Sequence, residues 1–149
     1  MNFHPPTNSL PRITLGVSEE RRLSALATAA ALAGRAESVA RILLAEIERA
    51  DIVRDDDLPS DVVRMHSWVE FEIDERNRRC VQLVYPGEAN IEQNRVSILT
   101  PIGAALIGLS TGQTIPLLGH DDRPHRLTPL KVMRHPPNVA SDERSADAE

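Results

Sequence analysis

Residues 97–108 read SILTPIGAALIG, and the stretch changes character in the middle. Ser97 to Leu99 suit a strand, whereas Thr100-Pro101 followed by Ile102, Ala104, Ala105, Leu106 and Ile107 reads as the start of a short helix. Thr100 can cap orphan N–H groups, Pro101 is pre-set for the first helical position, and Gly108 can close the far end. A strand that turns directly into a small apolar helix needs a surface for that helix to cover.

The flanking sequence supplies one. Val69, Phe71 and Ile73 alternate with Glu70, Glu72 and Asp74, the period of a half-buried strand. Glu75-Arg76-Asn77 turns the chain, and Val81, Leu83 and Tyr85 continue an alternating face until Pro86-Gly87. Val96 and Ile98 make a third strand feeding the Thr100-Pro101 corner, and Ile115 to Leu118 follow Gly112 as a fourth. A fifth runs through Leu127, Leu130 and Val132, where the apolar phase slips at Pro129 and predicts a bulge or an edge. The helix is then the only one among about five antiparallel strands, and it covers one face of the sheet.

Before residue 54 the period is different. Ser18 reads as an N-cap, with Glu19 and Glu20 where a helix dipole favours negative charge. Leu23, Leu26, Ala30 and Ala33 form one apolar stripe, and Val39, Leu43, Ile47 and Ala50 form a second beyond Gly34-Arg35. Two helices joined by a short turn, each with one apolar face, fold back as an antiparallel hairpin. The organisation is therefore an irregular arm over 1–17, a helical hairpin or short coiled coil over 18–53, a linker over 54–60, a sheet domain over 61–137 and a tail over 138–149. The class is α+β.

Composition narrows the functions. Aromatic residues make up only 3% of the 149 residues, so the core must be built from Leu, Ile, Val and Ala. A formal charge of −5 offers no general attraction to nucleic acid or anionic lipid, which disfavours direct DNA binding. The lone Cys80 excludes an internal disulfide and a cysteine zinc site. No signal-peptide pattern follows Met1 and no run approaches the roughly 18 apolar residues of a membrane span, so a cytoplasmic protein is expected.

No cluster makes a convincing active site. His120, Asp121 and His125 could ligate a metal, but hairpin turns are rich in such residues for backbone reasons alone. Asp55-Asp56-Asp57 reads as a solvated linker that could attract a cation. Cys80 has no activating partner near it in sequence, and Ser67 lacks a nucleophile-elbow context. No phosphate loop, dinucleotide fingerprint or zinc-protease motif is present. No catalytic residue, cofactor or metal is assigned.

The order of parts resembles the Gre family of bacterial transcription-elongation factors. Within it the likeness is to the branch named for regulation of nucleoside diphosphate kinase. The residues that carry it are LPSDVVRMHS at 58–67, LVYP at 83–86 and, above all, VSILTPIGAALIGL at 96–109, with the spacing continuing through Gly112. The likeness extends from about Ser18 to His135 and is weakest in the hairpin. Arg64 and His66 depart from it, since relatives tend to carry Thr and Asn there, as does the hairpin sequence 119–125.

The resemblance implies an FKBP-like sheet domain that docks at the rim of the RNA polymerase secondary channel, with Leu99, Thr100 and Pro101 in the docking surface. The alternative is that Thr100-Pro101 merely starts a helix. In Gre factors paired carboxylates at the tip of a long coiled coil help hold a catalytic metal. Here each arm spans only roughly 24–27 Å at 1.5 Å per residue, and the tip, around Gly34 and Arg35, carries the single carboxylate Glu37. Binding to polymerase without stimulation of transcript cleavage is expected, by a monomer. Regulation of nucleoside diphosphate kinase, direct or through transcription, is a further implication. Peptidyl-prolyl isomerase activity is the competing expectation, weakened because only Trp68, Phe71 and Tyr85 could line such a site.

Overall fold

The computed structural model describes residues 10–118 and 123–137. Two helices, α1 (Val17–Leu32) and α2 (Glu37–Arg49), form an antiparallel hairpin, as the two apolar stripes require. Leu23, Ala27 and Ala30 of α1 face Ala40, Leu43 and Ile47 of α2, and all six are buried. Alanine at half of these positions allows the helices to approach closely. Gly34 reverses the chain in the left-handed region at φ 73°. Its N–H bonds to the Ala31 carbonyl at 3.2 Å while that of Arg35 reaches back to Ala30 at 2.8 Å, which satisfies the last carbonyls of α1.

The arm is not wholly irregular. Thr14–Gly16 is a strand, β1, that pairs in parallel with β2 (Asp51–Val53), and Ile13 and Leu15 are fully buried. The second helix thus ends at Arg49 rather than continuing to 53, because Ala50 turns to extended backbone and the chain joins β1. Ser18 is not the cap: α1 begins at Val17 behind Gly16, which makes no side-chain capping bond. Residues 1–9 and 138–149, called arm and tail from sequence, lie outside the described residues.

Five strands make the main sheet: β3 (Trp68–Ile73), β4 (Asn77–Val84), β5 (Arg95–Ser97), β6 (Ile115–Leu118) and β7 (Pro124–Met133), in the spatial order β5-β4-β3-β7-β6. The expectation of an all-antiparallel sheet is corrected at one edge, where β5 runs parallel to β4. Two 3-10 turns, Pro86–Glu88 and Ile91–Gln93, carry the chain back so that β5 can enter in the same direction as β4. The slip foreseen at Pro129 is a bulge: Phe71 pairs with Pro129 while Glu70 pairs with Lys131, leaving Leu130 over.

Helix α3 (Pro101–Leu106) covers the sheet, with Ala104, Ala105, Leu106 and Ile107 buried. Leu23 and Ala27 of the hairpin, Leu15 of β1, Val69, Phe71, Val81 and Leu83 of the sheet, and Leu106 of α3 belong to one hydrophobic cluster. A single core therefore runs from the base of the hairpin into the sheet. Gly108, at φ 81°, closes α3 and lets β1 pass, since its N–H bonds to Val63 and its carbonyl accepts from Thr14 at 3.0 Å. A Cβ there would sit 3.0 Å from that of Ile13.

Candidate functional site

The corner at Leu99-Thr100-Pro101 is built by local hydrogen bonds. Thr100 is extended, and its Oγ1 accepts from the Gly103 N–H at 3.1 Å while donating to the Ser97 carbonyl at 2.7 Å. The Leu99 N–H donates to Ser97 Oγ at 2.9 Å. Thr100 is thus the N-cap and Pro101 the first helical residue, as the residue types demand. Gly103 is required by contact: a Cβ on it would lie 2.2 Å from the Ser97 carbonyl oxygen and 2.9 Å from Ile98 Cα. Strand and helix are locked together, with Pro101 exposed and Leu99, Thr100 and Ile102 half-buried at the outer edge.

At the other end of the molecule, Gly34, Arg35, Ala36 and Glu37 are all exposed at the hairpin tip. Glu37 opens α2, and its Oε2 accepts from Arg41 at 2.7 and 3.1 Å. The sequence-predicted residues therefore form two separate groups, one on the sheet unit and one on the hairpin turn.

Between them lies a junction that sequence reading missed. A hollow of about 200 Å³ is lined by Ser18, Glu19 and Arg22 of α1, by Asp55, and by Arg64, His66 and Tyr85 of the sheet unit. Asp55 is exposed, as are Asp56 and Asp57, yet it is tied to the hairpin: its carboxylate accepts from the Ser18 N–H at 3.0 Å and from Ser18 Oγ at 2.6 Å, and those bonds hold its pKa below the usual carboxylate value. The first turn of α1 is capped from outside its own helix. Glu19 Oε2 accepts from the Met65 N–H at 2.9 Å, while its Oε1 is buried without a hydrogen-bond partner. Burial pushes the Glu19 carboxyl pKa up against the opposing pull of Met65 and Arg64. Arg22 and Tyr85 line the same hollow, and His66 Nε2 lies 2.8 Å from Glu88 with its ring edge-on to Tyr85. Ser18 and Glu19 open α1 whereas Asp55 follows the end of α2 by six residues, and only the fold pairs them.

The remaining candidates have structural explanations. The thiol of Cys80 is half-buried, and burial together with the neighbouring Glu70 raises its pKa, the opposite of an activated nucleophile. The Ser67 hydroxyl accepts from the Arg64 N–H at 3.0 Å within a turn. His125 Nδ1 lies 2.6 Å from Asp74 Oδ2, whereas His120, Asp121 and Asp122 lie outside the described residues. Among the described residues no three His, Cys, Asp or Glu side chains gather as a metal site. Phe71 is fully buried, and the half-exposed Trp68 is three residues earlier on the same strand and so on the opposite face. Tyr85 belongs to the junction, so the three aromatic residues do not share one cleft.

The family described as "Transcription elongation factor, GreA/GreB, C-term" matches residues 58–123. The regulator of nucleoside diphosphate kinase of Escherichia coli (strain K12) is 34% identical over 108 residues, covering 72% of this chain and 78% of that protein. Transcription elongation factor GreA of Methylobacterium sp. (strain 4-46) is 33% identical over 112 residues, covering 70% and 71%. A solved structure, the prokaryotic transcription elongation factor GreA/GreB from Nitrosomonas europaea, superposes with a TM-score of 0.63 at 30% identity, covering 83% of this chain and 98% of that one. The chain belongs to the GreA/GreB family of transcription elongation factors. The mixed α+β architecture is that of the family, and no described helix is long and apolar enough to cross a membrane.

Proposed function

We propose that this protein is a cytoplasmic, monomeric regulator that binds RNA polymerase at the rim of its secondary channel and does not stimulate transcript cleavage. In this reading the sheet unit, of the FKBP-like type, docks through Leu99, Thr100 and Pro101, and the hairpin points its tip at Gly34, Arg35 and Glu37 toward the channel. The observation that carries it is at the tip. Glu37 is the one carboxylate there, and it is already engaged by Arg41 at 2.7 Å. Metal recruitment of the kind the family resemblance implies takes paired carboxylates as hard oxygen ligands. A single carboxylate held by a guanidinium is poorly suited to that role.

The corner supports the docking half of the reading. Its geometry is fixed before any partner arrives, so ordering it on binding costs little. The Escherichia coli relative is named a regulator of nucleoside diphosphate kinase, and a link to that kinase, direct or through transcription, is part of the proposal. A pull-down with tagged protein, using purified polymerase and purified kinase separately, tests both. Recovery of polymerase by wild type, and loss of it in Pro101 and Leu99 variants whose thermal midpoints are unchanged, is expected. Affinity that falls only in step with stability would mean that the corner is a helix start and nothing more.

A further inference from the structure

The turn Arg64-Met65-His66-Ser67 sits beside the junction and carries two basic residues. It is rigid. The Ser67 N–H bonds to the Arg64 carbonyl at 3.0 Å, the Arg64 N–H to Ser67 Oγ at 3.0 Å, the His66 N–H to the Leu83 carbonyl at 2.6 Å, and Gln82 Nε2 to the His66 carbonyl at 3.1 Å. His66 is held in the left-handed region at φ 72°, a conformation that strains a residue bearing a β-carbon. This backbone presents Arg64 and His66 to an open hollow of about 330 Å³, lined by Arg64, Met65, His66, Ser67 and Arg134.

Three of those five residues are basic and none is acidic, in a chain whose formal charge is −5. The acidic groups nearby lie elsewhere: Glu19 and Asp55 act on Arg64 from the junction side, and Glu88 engages His66 Nε2. Arg134 makes no ion pair among the described residues. Guanidinium groups take a planar oxyanion through paired N–H bonds. A hollow this open does not enclose a small molecule, which favours a side chain delivered by a larger partner.

We propose that the Arg64–Ser67 turn together with Arg134 is a docking point for an acidic segment of a protein partner, with a Glu or Asp carboxylate received by the two arginines. The inference does not depend on that partner being polymerase. It gives this chain a recognition feature distinct from the Leu99–Pro101 corner.

The test uses the full chain and a fluorescein-labelled hexaglutamate peptide, with binding read by fluorescence anisotropy at low and at near-physiological salt. Wild type is expected to bind, more weakly as salt rises. The double variant Arg64→Ala/Arg134→Ala should lose about tenfold or more in affinity, corresponding to about 1.4 kcal/mol. The charge-matched double variant Arg76→Ala/Arg78→Ala, at the opposite end of β3, should stay within about twofold of wild type. Thermal midpoints identify any variant that has simply unfolded, and Arg64→Lys/Arg134→Lys, which keeps charge but not the planar fork, should recover only part of the loss. Equal losses in the two alanine pairs would mean general electrostatics and overturn the proposal, as would absence of peptide binding by folded wild type. Displacement by inorganic phosphate at lower concentration than by unlabelled hexaglutamate would reassign the hollow to a free anion and overturn it too.

Discussion

Ser18 donates its backbone N–H and its hydroxyl to the Asp55 carboxylate, at 3.0 and 2.6 Å, across 37 residues of chain. The bond pair closes the base of the hairpin, and a Cβ at Gly16 would lie 2.7 Å from Asp55 Oδ1 and press on that carboxylate. Replacing Asp55 by Asn should lower the thermal midpoint at neutral pH. Because the folded-state pKa of Asp55 is depressed below 3.8, its contribution is fully present above that value and is lost as pH falls through the folded pKa. The gap between wild type and Asp55→Asn, followed by denaturation from pH 7 downward, should therefore shrink below about pH 4. A gap that is constant across the range would show that the carboxylate charge plays no part.

Glu19 has the opposite sign. Its folded-state pKa is raised above 4.5 by burial, so the folded protein binds that proton more tightly than the unfolded chain does. Stability from this group is complete below the unfolded value and is lost as pH rises through the folded pKa. Glu19→Gln keeps an oxygen for the Met65 N–H and removes the buried charge. It should raise the midpoint relative to wild type at pH 7 and lose that advantage in acid. Glu19→Ala should instead cost about 1–3 kcal/mol by leaving the Met65 N–H unpaired, measured by urea unfolding.

At the corner, Gly103→Ala should be among the most damaging single-methyl changes in the chain. The added Cβ meets backbone rather than a movable side chain, at 2.2 Å from the Ser97 carbonyl oxygen. A loss of about 3 kcal/mol or more is expected. Thr100→Ala, which removes the cap, should cost about 1 kcal/mol, and Leu106→Ala about 2–5 kcal/mol. Equilibrium unfolding of the three variants should show Thr100→Ala as the mildest and the other two as clearly more damaging.

For the tip, added protein should fail to accelerate cleavage of nascent RNA in backtracked polymerase complexes. Glu37→Ala should change neither that result nor polymerase affinity, and should cost no more than about 0.5 kcal/mol of stability through its exposed pair with Arg41. Robust cleavage by wild type, abolished in Glu37→Ala, is the outcome that would sink the proposed function.

Much of this fold is readable residue by residue. The 3.6 period of Leu43 and Ile47, the alternation through Val69 and Phe71, and the Thr-Pro start with its closing glycine are local signals, and each locates its element. What escaped was set by distant partners. Thr14–Gly16 is too short to show a period and becomes a strand only because Asp51–Val53 lies beside it. Asp55 is solvated as its neighbours suggest, but its bond to Ser18 is visible only in the fold. The parallel entry of β5 depends on two 3-10 turns whose direction no pattern in residues 85–94 announces. The candidate site divides in the same way, since the corner is written in one stretch whereas the Arg64, His66 and Arg134 hollow joins residues 70 positions apart.

The parallel pairing of β1 and β2 makes the two helices a crossover between neighbouring strands, anchored at both feet, with β1 tied in turn to Gly108. Extra residues inserted as matched helical turns at Gly34-Arg35 would leave both feet untouched. The reach of the hairpin, roughly 24 Å at 1.5 Å per residue, is thereby decoupled from the integrity of its foundation, so lineages could lengthen or shorten the probe without redesigning the body that holds it.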